Sequence, residues 1–177
     1  MQIFVSGVWG EEKAKPFVLQ GRHLGELIAI AGFDLACGPG TGVARFVIDG
    51  YRSVSPRGIV RFYLPIAAEM LRVGEVASDG ADEIIQTEYD YPLRNIYQIK
   101  CSDALFILSG GDSTLQEALA ALAEYELPVV GLRESGTAVR ALELLLPLYP
   151  VWSSRLVLGD NIDGLFEKLC QMVQPVS

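Results

Sequence analysis

The chain has 177 residues, half of them hydrophobic and 20% charged, with a formal net charge of −8. That length and apolar content suffice for about one domain with a sizeable core, expected to span residues 1–177. The acidic balance, with no cluster of Lys and Arg, argues against nucleic acid or an anionic membrane as partner, because both are captured by clustered cations.

Extended and helical segments alternate along the chain. Gln2–Ser6 reads as a strand ending at Ser6-Gly7, and a helix follows over Pro16–Ala31. Phe33–Cys37 is the second strand. It runs into Gly38-Pro39-Gly40-Thr41-Gly42 and a helix over Val43–Val54. Strands follow at Ile59–Leu64 and Glu83–Thr87, then a helix at Leu93–Lys100 and a fifth strand, Ala104–Ser109. After Gly110-Gly111-Asp112-Ser113 come a helix at Thr114–Tyr125, a strand at Pro128–Leu132, and helices at Thr137–Leu146 and Ile162–Val173. The strands are short apolar runs of the kind covered on both faces, so the order predicts an α/β fold with a doubly wound parallel sheet of about six to seven strands. Ligands of such sheets bind at the carboxyl ends of the strands.

No apolar run approaches the roughly 20 residues of a membrane helix, and Met1–Val5 lacks the basic flank of a secretory signal. A cytoplasmic protein is expected. The cysteines, Cys37, Cys101 and Cys170, are odd in number and each sits in apolar sequence, so they read as reduced, buried thiols. No metal site or cofactor is expected.

Three strand ends carry small residues: Ser6-Gly7, Gly38–Gly42 and Ser109–Thr114. Glycine permits close approach of the backbone to a ligand, and each following helix points unpaired N–H groups into the same space. Ser6, Gly7, Gly38, Gly40, Thr41, Gly42, Gly110, Gly111, Asp112, Ser113 and Thr114 are therefore the candidate phosphate- or ligand-binding residues. The Gly38–Gly42 loop has the wrong spacing for the dinucleotide fingerprint, and Val43 stands where a P-loop needs Lys.

Several residues also have a plain structural reading. Ser113 with Gln116 matches a capping box, and Glu117 favours the start of a helix. At 100° per residue Glu117 falls opposite the face made by Leu115, Ala118, Leu119 and Leu122, which points it away from the sheet. His23 reads as a surface residue, Asp103 as structural, and the pairs Glu11-Glu12 and Asp82-Glu83 as solvated.

The combination "LGELIAIAGFDLACGPGTGVA" (Leu24–Ala44), "LRN" (Leu93–Asn95) and "SDALFILSGGDSTLQE" (Ser102–Glu117) resembles the Lonely Guy (LOG) family of the wider SLOG superfamily. That family's hallmark is P-G-G-x-G-T-x-x-E with an arginine upstream. Arg94 stands nine residues before Asp103, and Gly110, Gly111, Thr114 and Glu117 fall on the motif. Asn95 after Arg94, where LOG proteins have Lys, is closer to the molybdenum-cofactor-carrier-like branch. The resemblance implies a Rossmann-like fold with helices on both faces, a homodimer, and a nucleoside 5′-monophosphate ligand. In active members the N-glycosidic bond is hydrolysed to free base and ribose 5-phosphate.

On that reading Glu117 is the catalytic carboxylate beside C1′, stabilising the positive charge that builds on the ribose or activating water. Arg94 would hold ribose or phosphate and order Glu117 by pairing with it, and Asn95 joins the ligand set. Two departures bear on activity. Ser109 replaces proline, and Ser113 replaces the glycine of G-T, where a positive φ would strain serine, while Asp112 brings negative charge beside an expected anion. The implied function is thus a phosphoribohydrolase, or alternatively a non-catalytic carrier of a nucleotide-derived or phosphorylated ligand. Tyr89, Tyr91 and Leu71–Ala77 are candidate walls of the base pocket, and Val43–Val54 with Ile66–Met70 offer apolar surface for a dimer.

Overall fold

The computed structural model describes residues 1–173. Seven strands form one sheet in the order β4-β3-β2-β1-β5-β6-β7, every neighbouring pair parallel. They are β1 (Gln2–Ser6), β2 (Asp34–Cys37), β3 (Val60–Leu64), β4 (Glu83–Gln86), β5 (Ala104–Ile107), β6 (Val129–Leu132) and β7 (Leu156–Gly159). The chain winds outward from β1 to β4, then returns through one helix to β5 and winds outward again to β7. The reversal lies between β1 and β5, the place where a parallel sheet opens a crevice at its carboxyl edge.

Alternation along the strands divides the apolar side chains between two layers. Ile3 and Val5 of β1 face one layer with Leu24, Ile28, Val47 and Tyr51. Those residues come from α2 (Val18–Ile30) and α3 (Val43–Arg52), and α8 (Ile162–Val173) completes that face. Phe4 faces the other way, among Ile99, Ala118, Leu122 and Leu142. That layer is built by α5 (Tyr91–Lys100), α6 (Asp112–Ala123) and α7 (Thr137–Leu145). Two short helices, α1 (Glu11–Ala14) and α4 (Ala67–Val73), lie in the loops after β1 and β3.

Several expectations are corrected. Strand β7 and helix α4 are elements not expected from the sequence, since each is short and flanked by irregular chain. Helix α6 begins at Asp112 with Gly111 as its N-cap and no side-chain cap, so Ser113 and Gln116 form no capping box. The apolar residues Val47, Ile48 and Tyr51 of α3 are buried in the core rather than left free for a partner. Of the cysteines only Cys37 is buried; Cys101 is exposed and Cys170 half-buried. Asp82 and Glu83 are not merely solvated, for they pair with Arg57 at 2.5 Å and Arg61 at 2.6 Å. His23 is a half-exposed helix residue 2.8 Å from Asp163, and Asp103 accepts from the backbone N–H of Gln2 at 2.7 Å. Among the described residues, no helix is long and apolar enough to cross a membrane.

Candidate functional site

The carboxyl ends of β1, β2 and β5 open onto a cavity of about 320 Å³. Its wall includes Ser6, Gly7, Gly38, Gly40, Thr41, Arg94, Asn95, Ser113, Thr114 and Glu117. Gly110, Gly111 and Asp112 instead line a neighbouring cleft, which shares Ser113 and Thr114 with the first. Gly42 lines neither and serves as the N-cap of α3. The structure thus gathers ten of the fourteen candidate residues around one space.

Glu117 departs most from the sequence expectation. It is 6% exposed, turned toward the sheet, and its Oε2 accepts a short hydrogen bond from the hydroxyl of Ser6. Ser6 Oγ also lies 3.0 Å from Thr114 Oγ1, so the first strand and the first turn of α6 meet at this carboxyl. Of the face expected from the helical wheel, Ala118 and Leu122 are buried but Leu115 and Leu119 only partly so, and the buried residues of α6 also include Thr114, Glu117, Ala120 and Ala121. Small residues let the helix approach the sheet closely, and the glutamate is buried with them. Burial pushes the Glu117 carboxyl up to about 7, against the opposing effects of the Ser6 hydrogen bond and the nearby Arg94 charge.

Helix α5 delivers Arg94. Asp90 caps it by accepting from Leu93 N–H at 3.0 Å, with Pro92 in the first turn, and the inner face carries Arg94, Asn95, Gln98 and Ile99. Arg94 is 6% exposed, donates to Gln98 Oε1 at 3.0 Å, and lies 5.2 Å over the centre of the Tyr91 ring. It forms no ion pair with Glu117 or with any other carboxylate among the described residues, so the expected direct pairing is absent. Its Nε is buried without a partner, as is Gln98 Nε2. Burial depresses its basicity, and the charges of Glu117 and Glu75 work the other way. A buried cation with a free donor beside a cavity is a ready seat for an anionic or hydroxyl-bearing ligand. Gly38 makes room for it: a Cβ there would stand 3.1 Å from Arg94 Nη1.

The altered loop is less disruptive than the sequence implies. Ser113 is the second residue of α6, and the positive φ of this loop falls on Gly110, at 126°. Asp112 faces the neighbouring cleft rather than the cavity. Ser109 is fully buried and accepts from Val8 N–H at 3.0 Å, tying the β1 and β5 loops together.

Glu75 lies within Leu71–Ala77, the candidate wall, and carries no motif of its own. It lines the cavity and accepts from Thr41 Oγ1 at 2.6 Å and from the Tyr91 hydroxyl. Its placement follows from Gly74, which ends α4 in the left-handed conformation, with Glu75 N–H returning to Met70 O at 3.0 Å. A glycine closing a helix just before a glutamate was the available signal. Tyr91 does line the cavity; Tyr89 does not, and its ring packs against Tyr97 with centroids 5.7 Å apart.

The model of the SLOG cluster4 family matches residues 1–145. The chain belongs to that family. Among solved structures, this SLOG protein is similar to the molybdenum cofactor carrier protein of Chlamydomonas reinhardtii, at 23% identity and a TM-score of 0.78, with 97% of each chain covered. The molybdenum cofactor binding protein of Rippkaea orientalis is similar at 22% identity and a TM-score of 0.77, covering 98% of this chain and 97% of the other. A structural-genomics protein, TM1055, aligns at 20% identity and a TM-score of 0.82 over 96% and 98% of the two chains. These likenesses show the Rossmann-like SLOG fold. No curated protein sequence matches the chain.

Proposed function

We propose that the cavity binds a nucleoside 5′-monophosphate or a close phosphorylated relative, and that Glu117 takes part in cleaving its N-glycosidic bond. The observation that carries this reading is the buried Glu117 carboxyl in the cavity wall, hydrogen-bonded by Ser6 and unpaired with the nearby Arg94. A phosphate seated at Ser113 and Thr114 meets the N-terminal N–H groups of α6, whose dipole favours an anion. Arg94, with its free Nε, holds the ribose.

A carboxyl group that titrates near 7 suits this chemistry, because it can give a proton and afterwards carry charge at neutral pH. Protonated Glu117 donates to the departing base as the C1′–N bond breaks. The carboxylate left behind faces the cationic sugar and takes a proton from the water whose oxygen bonds to C1′. Base and ribose 5-phosphate leave, and Glu117 is again protonated.

A second reading, a carrier that binds without chemistry, is supported by the similarity to the cofactor carriers. Incubating the protein with a panel of nucleoside 5′-monophosphates and measuring ribose 5-phosphate separates the two. Release that disappears in Glu117→Gln supports the hydrolase. Tight binding with no release by the unmodified protein supports the carrier, and neither binding nor release refutes both.

A further inference from the structure

The reading above leaves one end of the cavity without a role. Phosphate and ribose occupy the end where Ser113, Thr114 and Glu117 stand over β5 and β1. Thr41 follows β2, and Glu75 is tied to it, so this second carboxylate lies at the opposite end along the strand order β2-β1-β5. Two strand spacings separate those ends, about 10 Å. That matches the reach of a mononucleotide from its phosphate to the far edge of its ring.

The chemistry of the cluster formed by Glu75, Thr41 and Tyr91 is one-sided. A carboxylate cannot donate, so the hydroxyls of Thr41 and Tyr91 must give their protons to it, one to each oxygen. Each carboxylate oxygen keeps a further lone pair, and the Thr41 and Tyr91 oxygens, their protons committed, can only accept. Glu75, Thr41 and Tyr91 therefore offer a ligand ring acceptors alone, beside Arg72, which lines the same cavity and whose guanidinium is paired with Glu69. Arg94 brings no donor to Glu75 within ion-pair distance.

We propose that Glu75 selects the ring by a paired contact with two adjacent N–H donors, which makes a guanine-type 2-amino-oxo ring the preferred occupant. Guanine carries a ring N–H and an exocyclic amino group side by side, matching the two free lone pairs of one carboxylate. Adenine and cytosine place an unprotonated ring nitrogen beside their amino group, so a lone pair would face a carboxylate. Uracil has a single N–H between two carbonyl oxygens. Half-buried acceptors that a ring leaves unmatched weaken its binding.

This inference rests on the nucleotide reading of the cavity, and one experiment separates the two. Binding of guanosine, inosine and adenosine 5′-monophosphates and of ribose 5-phosphate is measured by calorimetry for the unmodified protein and for Glu75→Gln. The guanine nucleotide is expected to bind about tenfold tighter than the inosine nucleotide, which lacks the amino group, and tighter still than the adenine nucleotide. Glu75→Gln should shrink that preference to about threefold or less and leave ribose 5-phosphate affinity unchanged. Equal affinities for the three nucleotides, or a guanine preference that survives in Glu75→Gln, would overturn the inference and spare the nucleotide reading. Failure of every compound to bind the unmodified protein overturns both. The comparison among bases in the unmodified protein stands by itself if the variant does not fold.

Discussion

Two carboxylates share one cavity and differ in what holds them. Glu117 is buried, takes a hydrogen bond from Ser6, and feels Arg94 without touching it; burial prevails and its carboxyl is pushed up to about 7. Glu75 is met by two hydroxyls, from Thr41 and Tyr91, one on each oxygen. The first arrangement keeps a proton in play. The second fixes an acceptor in position. Residue type alone does not separate these roles, because donors, burial and the distance of the nearest cation decide them.

The largest effect should follow from removing the proton-bearing member. Glu117→Gln is expected to lower ribose 5-phosphate release by at least about a hundredfold while nucleotide binding persists, read by product assay and calorimetry.

The same substitution should change the pH dependence of stability. The folded-state value of Glu117 is raised from 4.5 to about 7, so the folded protein binds more protons than the unfolded chain between those values, and stability falls as pH rises through that window. The full loss is on the order of 3 kcal/mol and is complete above pH 7. Glu117→Gln, which carries no titrating group there, should gain stability relative to the parent between pH 5 and 8 in urea melts. A constant difference across that range would refute the assignment.

A smaller effect is expected where the backbone makes room for the guanidinium. Gly38→Ala places a methyl group 3.1 Å from Arg94 Nη1, so nucleotide affinity should fall about tenfold as the side chain is pushed from its seat. Smallest of all, Thr41→Val removes one donor from Glu75 and should lower stability by about 1 kcal/mol in the same melts.

The alternation of short apolar strands with helices made the parallel sheet legible, and the glycines after β1, β2 and β5 marked its ligand edge. Strand β7 escaped because Leu156–Gly159 follows an irregular stretch of 3₁₀ turns with no signal of its own. The inward turn of Glu117 was hidden because Leu115 and Leu119, only partly buried, widened the inferred core face away from Thr114 and Ala121, which are buried with Ala118 and Leu122. Glu75 could not be reached from periodicity, since its position depends on a helix end and on contacts with residues 34 and 16 positions away.

The account turns on Glu117 being an acid held within the cavity, and a carbon-13 NMR titration of labelled glutamate carboxyls, with its signal assigned by its absence in Glu117→Gln, addresses that directly. A midpoint near 7 is the predicted result. A midpoint near 4.5, the ordinary value for glutamate, would mean that Glu117 is neither desolvated nor poised to move a proton.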